Sequence, residues 1–200
     1  MSKVKVFCFG FGQVAKYFVK KIIKEKQDLE INVSSRKKTH TLTFESLNLN
    51  SYEFNEEKID KNINTKIKDA DFILLSIPPI DDEDIVLKNF EEIIKKTKPK
   101  WITYLSATSI YGDHDGGWVD ETSETKPTSV SGMKRLKAEN RWLKFSNENN
   151  LPLQIFRLSG IYSPQNNILK RLISGQVKIV KKENHFFSRI HVEDIANLLF

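Results

Sequence analysis

The chain has a single cysteine, Cys8, and no apolar run approaching the roughly 20 residues that cross a bilayer. One cysteine excludes an internal disulfide. Set inside an apolar run, Cys8 reads as a small buried hydrophobe rather than a reactive thiol. The start, Met1-Ser2-Lys3-Val4-Lys5, leads straight into that run and lacks the features of a signal peptide. No membrane partner is expected, and the cytoplasm is the expected compartment. There is also no internal repeat, low-complexity tract or long linker. No spacing of His, Cys, Asp and Glu suggests a metal site, because His114 beside Asp115 is too short a pattern. Charge of one sign does not dominate either. The net charge of +6 comes mostly from lysines scattered among acidic residues. Pairs such as Lys20-Lys21 and Lys95-Lys96 fall on polar helix faces, which reads as a solvated surface and not as a nucleic-acid footprint.

What is present is an alternation. Apolar runs suited to buried strands lie at 4–9, 31–33, 72–77, 101–105 and 153–158. Helical stripes fall between them: Val14, Phe18 and Ile22; then Val86, Phe90, Ile93 and Ile94; then Leu136 and Leu143. Pro99 closes the second helix, and Asn149, Asn150 and Pro152 break the third. Strands alternating with helices predict an α/β fold, a doubly wound parallel sheet with helices on both faces. Ligands of such sheets sit beyond the carboxyl ends of the strands, which directs attention to the turns after Phe9, Val33, Ile77 and Leu105.

The first of these turns reads Gly10-Phe11-Gly12-Gln13-Val14-Ala15. Gly10 permits a tight turn, Gly12 lets the backbone approach a pyrophosphate, and Ala15 allows close helix–strand packing. The helix beginning at Gln13 and Val14 offers N–H donors and a positive dipole end. The strand–turn–helix setting at the start of a βαβ unit is the context a dinucleotide requires. After the second strand the chain reads Ser34-Ser35-Arg36-Lys37-Lys38, with no carboxylate to accept from a ribose 2′-OH. Arg36, beside Ser35, suits a 2′-phosphate, so NADP is expected ahead of NAD. Ile77 and Pro78, in the turn Ser76-Ile77-Pro78-Pro79, are placed beside the adenine and ribose.

Four further stretches occur in order: YLSATSIYGD (104–113), GGWVDET (116–122), RLSGIYSP (157–164) and FFSRIHVEDIA (186–196). Together they resemble the extended short-chain dehydrogenase/reductases, the NAD(P)-dependent epimerase/dehydratases, and within them an atypical subgroup with a G-x-G-x-x-A turn. The resemblance implies a Rossmann-like cofactor domain over residues 1–160. Residues 161–200 would begin a small C-terminal substrate-side portion, shortened because family members continue well beyond this point.

In active members a Ser or Thr after the 101–105 strand helps hold the substrate oxygen. A Tyr-x-x-x-Lys pair on the next helix then transfers the proton. Here that hydroxyl position is Ala107, flanked by Ser106 and Thr108. Matching Pro127, Gly132 and Glu139 to the family pattern puts Ser131 at the tyrosine position and Arg135 at the lysine position. A serine is a far weaker acid than a phenol, and arginine holds ribose hydroxyls without carrying a proton. Thr108, Tyr111, Ser131 and Arg135 are therefore the catalytic candidates, with Arg135 also on the cofactor. The resemblance implies substrate contacts from Ser106, His114, Asn166 and Arg189, the last toward an anionic group. Asp120 and Glu121 share the loop of His114, which Trp118 would anchor. His191 reads as structural.

Two functions remain open. One is an NADP-dependent oxidoreductase or epimerase of a small sugar-like or nucleotide-sugar-like substrate with a non-standard site. The other is a catalytically inactive NADP-binding protein with a redox-sensing or regulatory role.

Overall fold

Phe7 and Phe9 alternate with Val6 and Cys8 along the first strand, and all four are buried. A strand covered on both faces must be apolar at every position, which is why this one reads as an unbroken run. In the computed structural model, which describes residues 3–25, 28–80, 83–177 and 186–200, it is β1 (Val4–Phe9). Around it run α1 (Gln13–Glu25), β2 (Leu29–Ser35), β3 (His40–Phe44), β4 (Leu47–Glu53), α2 (Ile63–Lys68) and β5 (Phe72–Leu75). Then follow α3 (Ile85–Thr97), β6 (Trp101–Ala107), a 3-10 turn (Thr108–Ile110), α4 (Val130–Asn149) and β7 (Leu153–Leu158). The described chain ends with β8 (Gly160–Tyr162), α5 (Ile168–Ile173), β9 (Arg189–His191) and α6 (Val192–Leu199).

Seven strands form one sheet in the order β3-β4-β2-β1-β5-β6-β7. All neighbours are parallel except β3, which is antiparallel to β4. The order reverses direction between β1 and β5, so a crevice opens at the carboxyl ends of β1, β2 and β5. Helices α2, α3 and α4 cover the face carrying Phe7, Phe9 and Tyr104. Helices α1 and α6 cover the other face, with Val6, Cys8 and Leu74. This is the expected doubly wound fold. Val192, Ile195 and Leu199 of α6 belong to the same core as α1.

Some expectations need correction. The β3–β4 hairpin was not anticipated, because its strands are rich in Thr and Asn and its outer edge is solvated. It takes the place of a helix in the connection from β2 to β4. The strand expected over 72–77 stops at Leu75, leaving 76–79 as the turn itself. On α4 the buried stripe is Ala138, Trp142 and Phe145, while Leu143 faces solvent. The indole of Trp142 donates to Asp84 Oδ2 (3.0 Å), and the other oxygen of Asp84 caps α3 by accepting from the N–H groups of Val86 and Leu87. Among the described residues no helix is long and apolar enough to cross a membrane. Burial pushes the Cys8 thiol up to about 12, so it stays protonated and inert at neutral pH.

Candidate functional site

The glycine turn is clamped from both neighbouring strands. Gly10 has φ +87°, a conformation that favours glycine, and its N–H donates to Ser34 Oγ of β2 (3.0 Å). From the other side Ser76, just past β5, directs its hydroxyl at the Phe9 and Gly10 carbonyls (2.9 and 3.1 Å). A Cβ on Gly10 would lie 2.9 Å from Ser76 Oγ and 3.1 Å from Ile77 Cγ1. Ser34 and Ser76 were not singled out in the sequence. Their only signal is a hydroxyl residue at the carboxyl end of a strand flanking β1.

Gly12 is the opposite case: a Cβ there would meet nothing within 4 Å. Its carbonyl accepts the first bond of α1, from Lys16 N–H (3.0 Å), and the N–H groups of the first helical turn have no intrahelical acceptors. Val14 and Ala15 are buried against the sheet, and Gln13 Nε2 is buried without a partner among the described residues. The Phe11 ring packs edge-on against Phe44 of the hairpin (5.1 Å). The residues present fit a dinucleotide: an open cradle, a helix start and an unspent amide.

At the end of β2, Ser35 Oγ accepts from Lys37 N–H (3.3 Å) and from the Ser51 hydroxyl (3.0 Å). Asn55 secures the next residue by donating to the Arg36 carbonyl (3.4 Å) while its own oxygen caps the N–H groups of Glu57 and Lys58. The Arg36 backbone is thus anchored, and its exposed guanidinium makes no bond with the described residues. Ile77 packs on the core, and Pro78 is exposed.

Beyond β6 the candidates separate. Ser106 is buried and its Oγ has no partner among the described residues. Thr108 opens the 3-10 turn, and its carbonyl accepts from Tyr111 N–H (3.0 Å). Tyr111 is buried, and its phenol oxygen accepts from Arg157 Nη1 (2.9 Å), whose guanidinium also pairs with the fully buried Glu139 (3.0 Å). Helix α4 docks tightly on the 3-10 turn, because a Cβ on Gly132 would come within 2.5 Å of the Ser109 carbonyl. Near the start of α4, Ser131 is exposed and its hydroxyl meets that of the capping Ser129 (3.3 Å). One turn further along, Arg135 Nη1 donates to the Leu105 carbonyl (2.8 Å), which brings a guanidinium to the carboxyl end of β6.

In the loop of residues 113–125, His114 Nε2 lies 3.1 and 3.2 Å from the Tyr111 and Glu124 carbonyls, tying the loop's ends together. Trp118 does not anchor the loop, since its side chain is fully exposed. Gly116 does so instead, because the Phe186 ring lies where a Cβ would be. Asp115 donates its N–H to Asp113 Oδ1 (3.0 Å), whereas Asp120 accepts from the Thr122 and Ser123 hydroxyls, which hold its carboxyl below the usual range. Glu121 contributes a carbonyl near Arg157 (3.4 Å). Asn166 accepts from Arg171 (3.2 Å), Asn167 caps α5, and the adjacent Gln165 accepts from Tyr17 of α1 (2.8 Å). His191 packs on Tyr162, with its Nδ1 3.8 Å from a Glu193 carboxylate oxygen. Arg189 lies across Gly160. Among the described residues no cluster could hold a metal ion.

The profile of the NAD dependent epimerase/dehydratase family matches residues 81–200. No curated protein sequence matches the chain. Among solved structures, a functionally unknown conserved protein from Silicibacter pomeroyi is 30% identical, with TM-score 0.81, over 98% of this chain and 67% of its own. The UDP-N-acetylglucosamine 4-epimerase from Methanobrevibacter ruminantium, in complex with UDP-N-acetylmuramic acid, superimposes with TM-score 0.74 at 16% identity, over 98% and 72%. The UDP-glucuronic acid 4-epimerase from Bacillus cereus, in complex with UDP-glucuronic acid and NAD, does so with TM-score 0.74 at 14% identity, over 96% and 71%. Likeness at these last two identities is one of fold.

Proposed function

The chain belongs to the NAD dependent epimerase/dehydratase family, and from that premise we propose that it is an NADP-dependent oxidoreductase or epimerase acting on a sugar-like or nucleotide-sugar-like substrate. The observation that carries the reading is the open cradle over Gly12 together with the backbone-anchored Arg36 at the end of the adjacent strand, whose guanidinium makes no bond with the described residues. The N–H groups at the start of α1 hold the pyrophosphate, and Gln13 supplies its buried amide. Arg36 and Ser35 meet the 2′-phosphate with charge-assisted hydrogen bonds. The bound nicotinamide supplies hydride transfer. Arg135, directed at the carboxyl end of β6, holds ribose hydroxyls, and Ser106 and Thr108 offer hydroxyls to the substrate oxygen. Thr108 and Tyr111 are the proton-carrying groups, and Tyr111 has its phenol beside the Arg157 guanidinium. Nucleotide-sugar complexes among the fold neighbours support the substrate class.

A second reading is a cofactor-binding protein without turnover. One observation favours it: a serine meeting another serine, and an arginine engaged by a carbonyl, stand where a tyrosine–lysine pair would transfer the proton. Calorimetric titration with NADP and NAD tests the cofactor. NADP is expected to bind more tightly, with at least about a tenfold loss in Arg36→Glu. Equal affinities would remove Arg36 from the site. A hydride-transfer screen with UDP-sugars separates the two readings, since turnover abolished by Thr108→Val or Tyr111→Phe excludes the inactive protein.

A further inference from the structure

We propose that Thr39 is a specificity-determining residue for the cofactor: through Asp60 and the β4 backbone it locks the turn that carries Arg36, and so favours the 2′-phosphate of NADP over the unphosphorylated ribose of NAD; this rests on reading the site as one for NADP. The turn of residues 36–39 runs from the end of β2 straight into β3, the outer strand of the hairpin, with no helix start to hold it. Neighbouring groups hold it instead. Lys37 N–H donates to Ser35 Oγ (3.3 Å), Asn55 donates to the Arg36 carbonyl (3.4 Å), and His40 Nδ1 lies 2.8 Å from the Lys38 carbonyl. Thr39 closes the turn. Its hydroxyl donates to Asp60 Oδ2 and accepts from Glu53 N–H (2.9 Å), which joins the turn to both ends of the loop between Glu53 and Asp60. Asp60 is itself fixed, its N–H donating to the Glu53 carbonyl (2.9 Å) and its Oδ1 accepting from Asn62 N–H (2.8 Å).

The charges of the turn make this fixing matter. Arg36, Lys37 and Lys38 are consecutive and exposed, and their side chains make no bond with the described residues. Adjacent cations repel one another and favour a spread turn. A nearby carboxylate would ordinarily relieve that repulsion, but Asp60 is spent on a hydroxyl and a backbone N–H. The Thr39 hydroxyl, more than any other group, holds its carboxyl below the ordinary value. The turn is thus ordered yet not neutralised. A dianionic phosphate supplies the missing charge, and the ordering entropy of its partners is met before it arrives. A ribose 2′-hydroxyl brings no charge, so it gains little from the same ordering. Thr39 acts through Arg36 and is therefore a positioning residue.

The test uses the full chain and calorimetric titration of NADP and NAD. Thr39→Val keeps the shape of the side chain and removes both of its bonds. It is expected to weaken NADP by at least about tenfold while NAD stays within about twofold. A merely structural role would weaken both cofactors alike. Thr39→Ser, which retains the hydroxyl, should keep the parent preference. Asp60→Ala separates position from charge. Removing an acid beside a cationic turn would tighten an anion on Coulombic grounds alone, whereas loss of the lock weakens NADP as Thr39→Val does. Thermal midpoints confirm that each variant is folded during the titration. A parent that binds NADP and NAD alike overturns the NADP reading and this proposal with it. A parent that prefers NADP, with Thr39→Val keeping that preference or Asp60→Ala binding NADP more tightly, overturns the role of Thr39 alone.

Discussion

Gly10 and Gly12 stand two residues apart in one turn, yet replacing each by alanine should fail in opposite ways. Gly10→Ala places a Cβ in a backbone with φ +87°, which costs about 1–2 kcal/mol for an L-residue. That Cβ also comes within 2.9 Å of Ser76 Oγ, the hydroxyl that bonds the Phe9 carbonyl, and displacing it releases a clamp bond worth about 1 kcal/mol. The sum is about 2–3 kcal/mol, or a fall in thermal midpoint of about 4–12 °C for a chain of this size. Gly12→Ala meets no atom within 4 Å. Alanine caps a helix less well than glycine, at a cost of a few tenths to about 1 kcal/mol, but it restricts the unfolded chain by a similar amount. The midpoint should therefore move by no more than about 2 °C. The same Cβ occupies the space a pyrophosphate needs, so NADP affinity should fall by at least about tenfold. Differential scanning fluorimetry and calorimetric titration of both variants give the two readouts. A Gly12→Ala protein that binds NADP like the parent refutes the cradle. A Gly10→Ala protein as stable as the parent refutes the clamp.

Two structural expectations follow from the packing. Asp84→Ala removes the α3 cap and leaves the buried Trp142 N–H without its acceptor, offset in part by relief of a carboxylate whose pKa burial raises. The net loss should be about 2 kcal/mol by urea denaturation, and Trp142→Phe in the same background should then cost less than it does alone. Glu30 is held below its ordinary pKa of 4.5 first by the hydrogen bond from Lys66 (2.8 Å) and then by that from Asn32. A carboxyl depressed on folding adds stability that is full above its unfolded pKa and is lost as pH falls through the folded one. The urea midpoint of the parent should therefore drop more steeply than that of Glu30→Gln below pH 4.5, and parallel curves would contradict the pairing.

The alternation of elements was legible because burial on both faces of a parallel sheet forces apolar runs, and α1 and α3 carry wide apolar stripes. The glycine turn was legible because its geometry restricts residue type at three nearby positions. The β3–β4 hairpin was not, since Thr41, Thr43, Asn48 and Asn50 look like loop when one face of an edge strand is wet. The α4 stripe was misplaced toward Leu143, because Trp142 is drawn in by Asp84 from another helix. Trp118 was expected to anchor the loop, but its side chain is fully exposed and Gly116 instead meets the Phe186 ring, a contact that leaves no local sequence pattern.

The order of residues by itself determined the α/β architecture and the glycine turn between β1 and α1, because each depends on periodicity or on neighbours within a few positions, while four ordered motifs carried the resemblance to the family. Tertiary structure decided what every polar side chain is bonded to. Arg135 reaches a carbonyl 30 residues away, and Tyr111 an arginine 46 residues away. Arg36 and Arg157 carry the same side chain. The exposed Arg36 makes no bond with the described residues, whereas the half-buried Arg157 pairs with Glu139, because that fully buried carboxylate needs a partner while an exposed charge does not.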